Sequence, residues 1–422
     1  MCYAELIAEH MRHHRSASES ALKTIADAAS KFHELSGTSA CIADQLTALR
    51  HGAPIIRFAH QPNLFSYLGI LGQFFFVHHL SRLVFNATGQ PVVPAYFIVD
   101  YDTAGDRRFH SSLLPDPGTR HGTAKISYAL GRRYEKRVAY SLTAPDEGVS
   151  REWSTLFEQW AGRYTWASGA ATSPFIPPTE IGLEAARDSV ARLAAEYQRN
   201  RLFSSGNAAH LSHLVNSVWR LPIVFVPLSV SAAGLEEEML GLAEQLGAQG
   251  VHDTTYAWYV CPRCHTRTDI TAPIAQKLLR CTACGQFAER RASGGNPARA
   301  RIVPKVVMDN LADYALYGAV GGTGYVAGLE HVRSSHRAAK RIGLRAGPEL
   351  SVRFLYQGDV ELPDTPPLDS ASRAFALVRS GRASLLYYLA ILGYEGLRRG
   401  LDNSFFQNKC AAHRKREDSY VE

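Results

Sequence analysis

Pro54-Ile55-Ile56-Arg57-Phe58-Ala59-His60-Gln61-Pro62-Asn63-Leu64-Phe65 is the stretch that decides the fold. Its first half is a short apolar run with the β character of a buried strand. Its second half is a polar turn, His60 to Asn63, opening onto a long apolar helix pattern from Leu64 to Leu83. A second strand-like run, Pro91 to Val99, follows and ends at Asp100-Tyr101-Asp102. Strand, polar turn, helix, strand is the order of a βαβ unit, so the spacing predicts an α/β fold built on a parallel sheet.

Working outward, residues 1–50 read as a helical segment, with Leu22, Ile25, Ala28, Phe32 and Leu35 recurring at three and four residues. Residues 51–250 carry the first part of the core with helical insertions. Ser150 to Ala161 and Pro178 to Leu202 are amphipathic helix patterns, Leu221 to Ser229 suits another central strand, and Ala232 to Leu246 reads as a helix. Residues 251–300 form a distinct insert. Residues 301–365 restore strand-like runs (Ile302 to Met308, Tyr314 to Val320, Ser351 to Tyr356) around a Gly-rich turn and a basic helix. Residues 366–422 hold C-terminal helices, helical from Ser370 to Leu401, and a charged tail.

The 422 residues are 46% hydrophobic and 20% charged, which excludes a disordered, fibrous or coiled-coil chain. A net charge of +7 suits an enzyme of anionic substrates and a nucleic-acid binder alike. The first 15 residues mix Glu5, Glu9, His10, Arg12 and Arg15 and show neither an apolar core nor a cleavage site. The longest uncharged apolar stretch, Asn63 to Val77, falls short of a membrane span. A cytoplasmic protein, away from membranes and with reduced thiols, is expected.

Four of the seven cysteines form one pattern. Cys261-Pro262-Arg263-Cys264 and Cys281-Thr282-Ala283-Cys284 are two C-x2-C knuckles with 16 residues between them. That is the spacing of a four-thiolate zinc ribbon, each knuckle supplying one edge of a tetrahedron. With all four positions filled by sulfur, a structural Zn2+ is expected; a redox pair is the competing reading. Cys2, Cys41 and Cys410 are isolated thiols with no visible task.

Three further elements point to a ligand site. Helix N-termini after parallel strands bind phosphate through free backbone N–H groups. At the first strand's turn His60, Gln61 and Asn63 add polar side chains, Tyr67 follows, and Gly69 permits close approach. Gly321-Gly322-Thr323-Gly324 lies between an apolar run and a basic pattern containing Arg333, Arg337, Lys340 and Arg341; it reads as an anion cradle or as a tight turn before a solvated face. Asp100 and Asp102 can hold Mg2+, orient a substrate amine, or cap the next turn.

With those elements in that order, the chain resembles the BshC-like family, the cysteine-adding ligases of bacillithiol biosynthesis. Ala59-His60-Gln61-Pro62-Asn63-Leu64-Phe65 is similar to the family's TGQQxGLFxGP turn. Pro94 to Asp102 is similar to its PVFWxxxEDHD strand end, and Ala319 to Ala327 to its GGPGEIAY turn. The resemblance implies a Rossmann-like core related to class I synthetases and nucleotidyltransferases, which activate a carboxylate with ATP and pass it to an amine. The turn is also similar to the HIGH motif of those synthetases. His60 stands where the family has Gly or Gln, Tyr325 replaces its Glu and Tyr101 its His. The ribbon lies outside the family pattern, and the C-terminal helices are short for the family's coiled coil. A paralogue with another amine or amino acid is therefore expected.

Two functions follow as expectations. One is an ATP-dependent amide-forming ligase in which His60, Asn63, Asp100 and Asp102 are catalytic, and Gln61, Tyr67, Gly69 and Gly321 to Gly324 bind the nucleotide. Its partners are ATP, an amino acid and an amine, with tRNA or a carrier protein as the conceivable macromolecular acceptors. The other is a nucleic-acid-binding zinc-ribbon protein using Arg263, Arg267, Lys277, Arg280, Arg290 and Arg291. Helix patterns at both termini would permit a homodimer.

Overall fold

Strands buried on both faces lose the in–out alternation of a half-wet sheet, and the core runs of this chain are of that kind. The computed structural model describes residues 19–170, 173–231, 257–270, 278–289, 301–304, 324–327, 349–351 and 369–418. Its α-helices of eight residues or more are α1 (Glu19–Ser36), α2 (Ala43–Arg50), α3 (Leu68–Thr88), α4 (Glu147–Ser168), α5 (Glu180–Asn200), α6 (Phe203–Ser212), α7 (Ser370–Arg379) and α8 (Leu385–Asp418), the last kinked at Gly393, φ 63 and ψ 179. Its strands are β1 (Ile55–His60), β2 (Val93–Ile98), β3 (Ser111–Pro115), β4 (Thr123–Ser127), β5 (Val224–Pro227), β6 (Ala257–Val260), β7 (Arg267–Ile270), β8 (Leu278–Arg280), β9 (Phe287–Glu289), β10 (Arg301–Pro304), β11 (Gly324–Ala327) and β12 (Glu349–Ser351).

The fold is mixed α/β around a parallel sheet ordered β12-β11-β1-β2-β5. Successive residues of each central strand feed opposite layers. Ile56, Phe58, Tyr96, Ile98 and Phe225 join a large core with α3 and the helices inserted between β2 and β5. Ile55, Val93, Ala95, Phe97, Val224 and Val226 join a smaller one with α1 and α2. Phe58, Phe74, Tyr96 and Phe225 stack beneath the sheet with centroids 4.8–5.5 Å apart. Arg57, 2% exposed, keeps its guanidinium 4.9 Å over the Phe97 ring.

α3 has the length and apolarity to cross a membrane, but it packs on the sheet through Ile70, Leu71, Phe74 and Val77. It begins at Leu68 rather than Leu64. Three tertiary bonds hold the intervening turn out of the helix: Leu64 N to Phe109 O, Ser112 Oγ to Phe65 O, and Leu385 N to Ser66 O. Phe65 consequently sits at φ 42, a left-handed conformation that is an outlier for a bulky residue.

Other boundaries also move. Ser370 to Leu401 divides into α7 and α8, with Gly381 at φ 64 between them. Arg301–Pro304, placed by its sequence in the second part of the core, pairs antiparallel with β6 of the insert. Gly324 begins a core strand instead of closing a turn before a helix. The runs at Ala232 to Leu246 and Tyr314 to Val320 and the basic pattern from Glu330 to Arg341 lie outside the described residues.

Candidate functional site: a strand-end turn tied to a four-cysteine centre

β1 delivers His60 to the carboxyl edge of the sheet, beside β2 and at the change of direction in strand order. Its carbonyl accepts from Val99 N and, at 2.8 Å, from Tyr96 Oη. The imidazole is half-buried, and that burial lowers its pKa below the ordinary value. Nδ1 lies 3.1 Å from the Gln61 carbonyl and Nε2 3.0 Å from Tyr67 Oη. A carbonyl only accepts, so Nδ1 carries the proton and Nε2 accepts the Tyr67 hydroxyl. Burial raises the Tyr67 pKa, with the charges of Arg108 and Arg382 opposing. Gly69 makes room for this ring, because a Cβ there would meet Tyr67 Cε2 at 3.1 Å.

Asn63 is 4% exposed, and neither its Nδ2 nor its Oδ1 has a hydrogen-bond partner. Buried amides are normally satisfied, so both atoms are left wanting a partner. The turn around it is rigid: Asn207 Nδ2 donates to Pro62 O at 2.8 Å, and Tyr197 Oη donates to Asn207 Oδ1.

Asp100 and Asp102 share the same edge but are committed to the protein. The Asp100 carboxylate accepts from the backbone N–H and the hydroxyl of Ser229, just past β5, a long-range partner and not the next turn of the chain. Asp102 accepts from Thr103 N, from Gln61 Nε2 and, at 2.9 Å, from Arg267 Nη1. Gly324 is not brought here. It pairs with Ile56, four residues before His60, at the amino-terminal side of the sheet, about 13 Å away along the strand. Gly321, Gly322 and Thr323 lie outside the described residues.

The two cysteine knuckles repeat one turn. In the first, His265 N donates to Cys261 O and Cys261 N to Thr266 O; in the second, Gly285 N donates to Cys281 O and Cys281 N to Gln286 O. The residue after each second cysteine is left-handed, His265 at φ 56 and Gly285 at φ 71. The sulfurs of Cys261 and Cys284 are 3.7 Å apart, those of Cys264 and Cys281 3.5 Å, and all four lie within 4.8 Å. A tetrahedron with metal–sulfur bonds of ~2.3 Å has edges of about 3.8 Å. The four thiols can therefore hold a metal ion such as zinc.

Sequence reasoning missed Arg108, Arg382 and the tie between Arg267 and Asp102. Arg108 belongs to a short helical turn, Arg107–His110, with no motif; it is exposed and clasps Asp106. Arg382 comes from the break before α8, far away in sequence. The chain matches no family model and no curated protein.

Proposed function

We propose that the sheet is a Rossmann-like nucleotide-binding core and that the chain is an ATP-dependent ligase, activating a carboxylate and joining it to an amine. The strand order supports the first half. Numbered along the chain, the parallel strands β1, β2, β5, β11 and β12 lie 3-2-1-4-5. Sheets of that order take their ligands outside the carboxyl ends, where the order reverses. The observation that carries the reading is the buried, unpartnered Asn63 amide at that edge, on the turn leading into α3. The N-terminus of α3 and the charges of Arg108 and Arg382 favour an anionic group beside it. Mg2+ arrives on the ATP phosphates, since Asp100 and Asp102 are engaged. The cysteine centre holds a structural zinc.

In this reading neutral His60 takes a proton instead of stabilising phosphate charge. As the amine nitrogen bonds to the activated carbonyl carbon, its proton passes to Tyr67 Oη and the phenolic proton to His60 Nε2. The bond from that carbon to the phosphate-bearing oxygen breaks, and the phosphate leaves with the electron pair. The Gln61 carbonyl, bonded to Nδ1, holds the ring in the required tautomer.

The test is hydroxamate formation from ATP, hydroxylamine and each of the twenty amino acids, with ammonium as a parallel acceptor. Hydroxylamine is already unprotonated at neutral pH and, as a strong nucleophile, can shed its proton to water after attack. Ammonium must lose a proton before it can attack, so its reaction depends far more on the base. Tyr67→Phe should keep hydroxamate formation and lose about 10²-fold or more of amide formation from ammonium. ATP consumption with none of the acids would refute the amino-acid ligase, and equal loss with both acceptors would refute the proton path.

The second reading, nucleic-acid binding, is favoured by one feature. Phe287 on the second knuckle strand is 58% exposed, with the Arg280 guanidinium 5.9 Å over its ring and Arg263 exposed on the first knuckle. An exposed aromatic with arginines suits a stacked base. RNA affinity that falls steeply with salt and is weakened by Phe287→Ala would favour it over the ligase.

A further inference from the structure

We infer that the four-cysteine loop positions the strand-end turn: Arg267 on the loop holds Asp102, and Asp102 fixes the orientation of Gln61. Two backbone hydrogen bonds seat the first knuckle on the core. Val138 N donates to His265 O at 3.1 Å and Arg267 N donates to Lys136 O at 2.9 Å, which together form the β-bridge between Arg137 and Thr266. The same core segment is sewn to the end of β2, since Ala104 N donates to Arg137 O and Ala139 N to Asp102 O. The knuckle thus delivers Arg267 Nη1 to Asp102 Oδ1 at 2.9 Å, in an ion pair whose side chains are 14% and 33% exposed. The other carboxylate oxygen receives Gln61 Nε2.

Gln61 is an amide with two different ends, and the latch chooses between them. With Nε2 spent on Asp102, its buried Oε1 is left without a partner. Arg267 lies three residues beyond Cys264, and His265 between them is held left-handed, a conformation that costs a non-glycine residue of order 1 kcal/mol or more. A thiolate–metal centre supplies the folding energy that keeps such a loop closed. Metal loading therefore sets the orientation of Gln61 through one guanidinium, making Arg267 a positioning residue whatever the reaction at the turn.

The test is amide hydrogen exchange on the full chain, read by mass spectrometry together with metal content. Three samples are compared: the metal-loaded protein, the protein stripped by a chelator, and metal-loaded Arg267→Met. Stripping should speed exchange in residues 61–67 and 100–104 by about tenfold or more, the scale of one charge-assisted hydrogen bond. Arg267→Met should show the same acceleration with its metal retained, and stripping it should add nothing further in those two segments. Acceleration confined to residues 257–289 on stripping would overturn the inference. So would Arg267→Met with full metal content and unchanged exchange at 61–67, a result that stays decisive if stripping unfolds the whole chain. Neither outcome depends on the ligase chemistry.

Discussion

Asn63→Leu should make the ligand-free protein more stable while abolishing nucleotide binding. Asn63 Oδ1 and Nδ2 are both buried and unpartnered. Each such group costs about 1–3 kcal/mol, so the pair costs about 2–6 kcal/mol before any ligand arrives. Leucine has the same branched skeleton and no polar atoms but is larger by about two methylene groups, and overpacking a filled site returns about 1–3 kcal/mol. At the midpoints of these ranges the net expectation is a gain of about 2 kcal/mol, read in urea as a higher midpoint at unchanged slope. ATP should raise the wild-type midpoint, because a ligand that binds only the folded state adds stability by mass action, and should leave Asn63→Leu unmoved. A loss of more than about 1 kcal/mol in Asn63→Leu, with the ATP response intact, would falsify the reasoning: the amide would then be satisfied in the free protein and no part of the site.

Three shorter predictions follow from other places in the fold. His33 and His210 are buried imidazoles whose pKa values are pushed down to about 3, chiefly by burial, so both fold neutral. His33 Nδ1 bonds Thr38, and its Nε2 accepts the backbone N–H of Phe225. Because these folded values lie below the unfolded one, their contribution is full above about pH 6.5 and is lost as pH falls toward 3, at about 1.4 kcal/mol per unit each. Urea midpoints measured from pH 7 to pH 4 should show that slope, and His33→Gln should remove about half of it; an unchanged slope would count against the assignment. Gly69→Ala should be neutral or mildly stabilising as a helix substitution, yet its Cβ displaces the Tyr67 ring. The His60 titration, followed by ¹⁵N NMR, should then move upward, and an unmoved titration would show that the ring bends without losing its bond. Finally, the chain should carry one zinc per molecule, and Cys281→Ala should lose it, which atomic emission can decide.

The 54–65 stretch was legible because apolar run, polar turn and apolar helix pattern are local properties. They place β1, the turn and α3 within a few residues, and the knuckle spacing places a metal-binding set by count alone. Long-range partners were not legible. The start of α3 depends on Phe109, Ser112 and Leu385, which reach the turn only after folding. Asp102 looked like half of a cation site because sequence carries no sign that Arg267, 165 residues on, would occupy it. The glycine-rich segment read as a phosphate turn by composition, whereas its Gly324 enters a strand from the opposite edge of the sheet.

What the sequence determined by itself is therefore the class of the fold, the edge at which β1 meets its helix, and the four sulfurs of a tetrahedral set. Hydrophobic periodicity and C-x2-C spacing act over a few residues and need no knowledge of the remaining chain. The tertiary structure decided which polar groups at that edge are satisfied and which are left open. Asp100 is taken by Ser229 and Asp102 by Arg267, while Asn63 and one end of Gln61 remain unpaired. Hydrogen bonding is settled by distance in space, and only the packed chain fixes those distances.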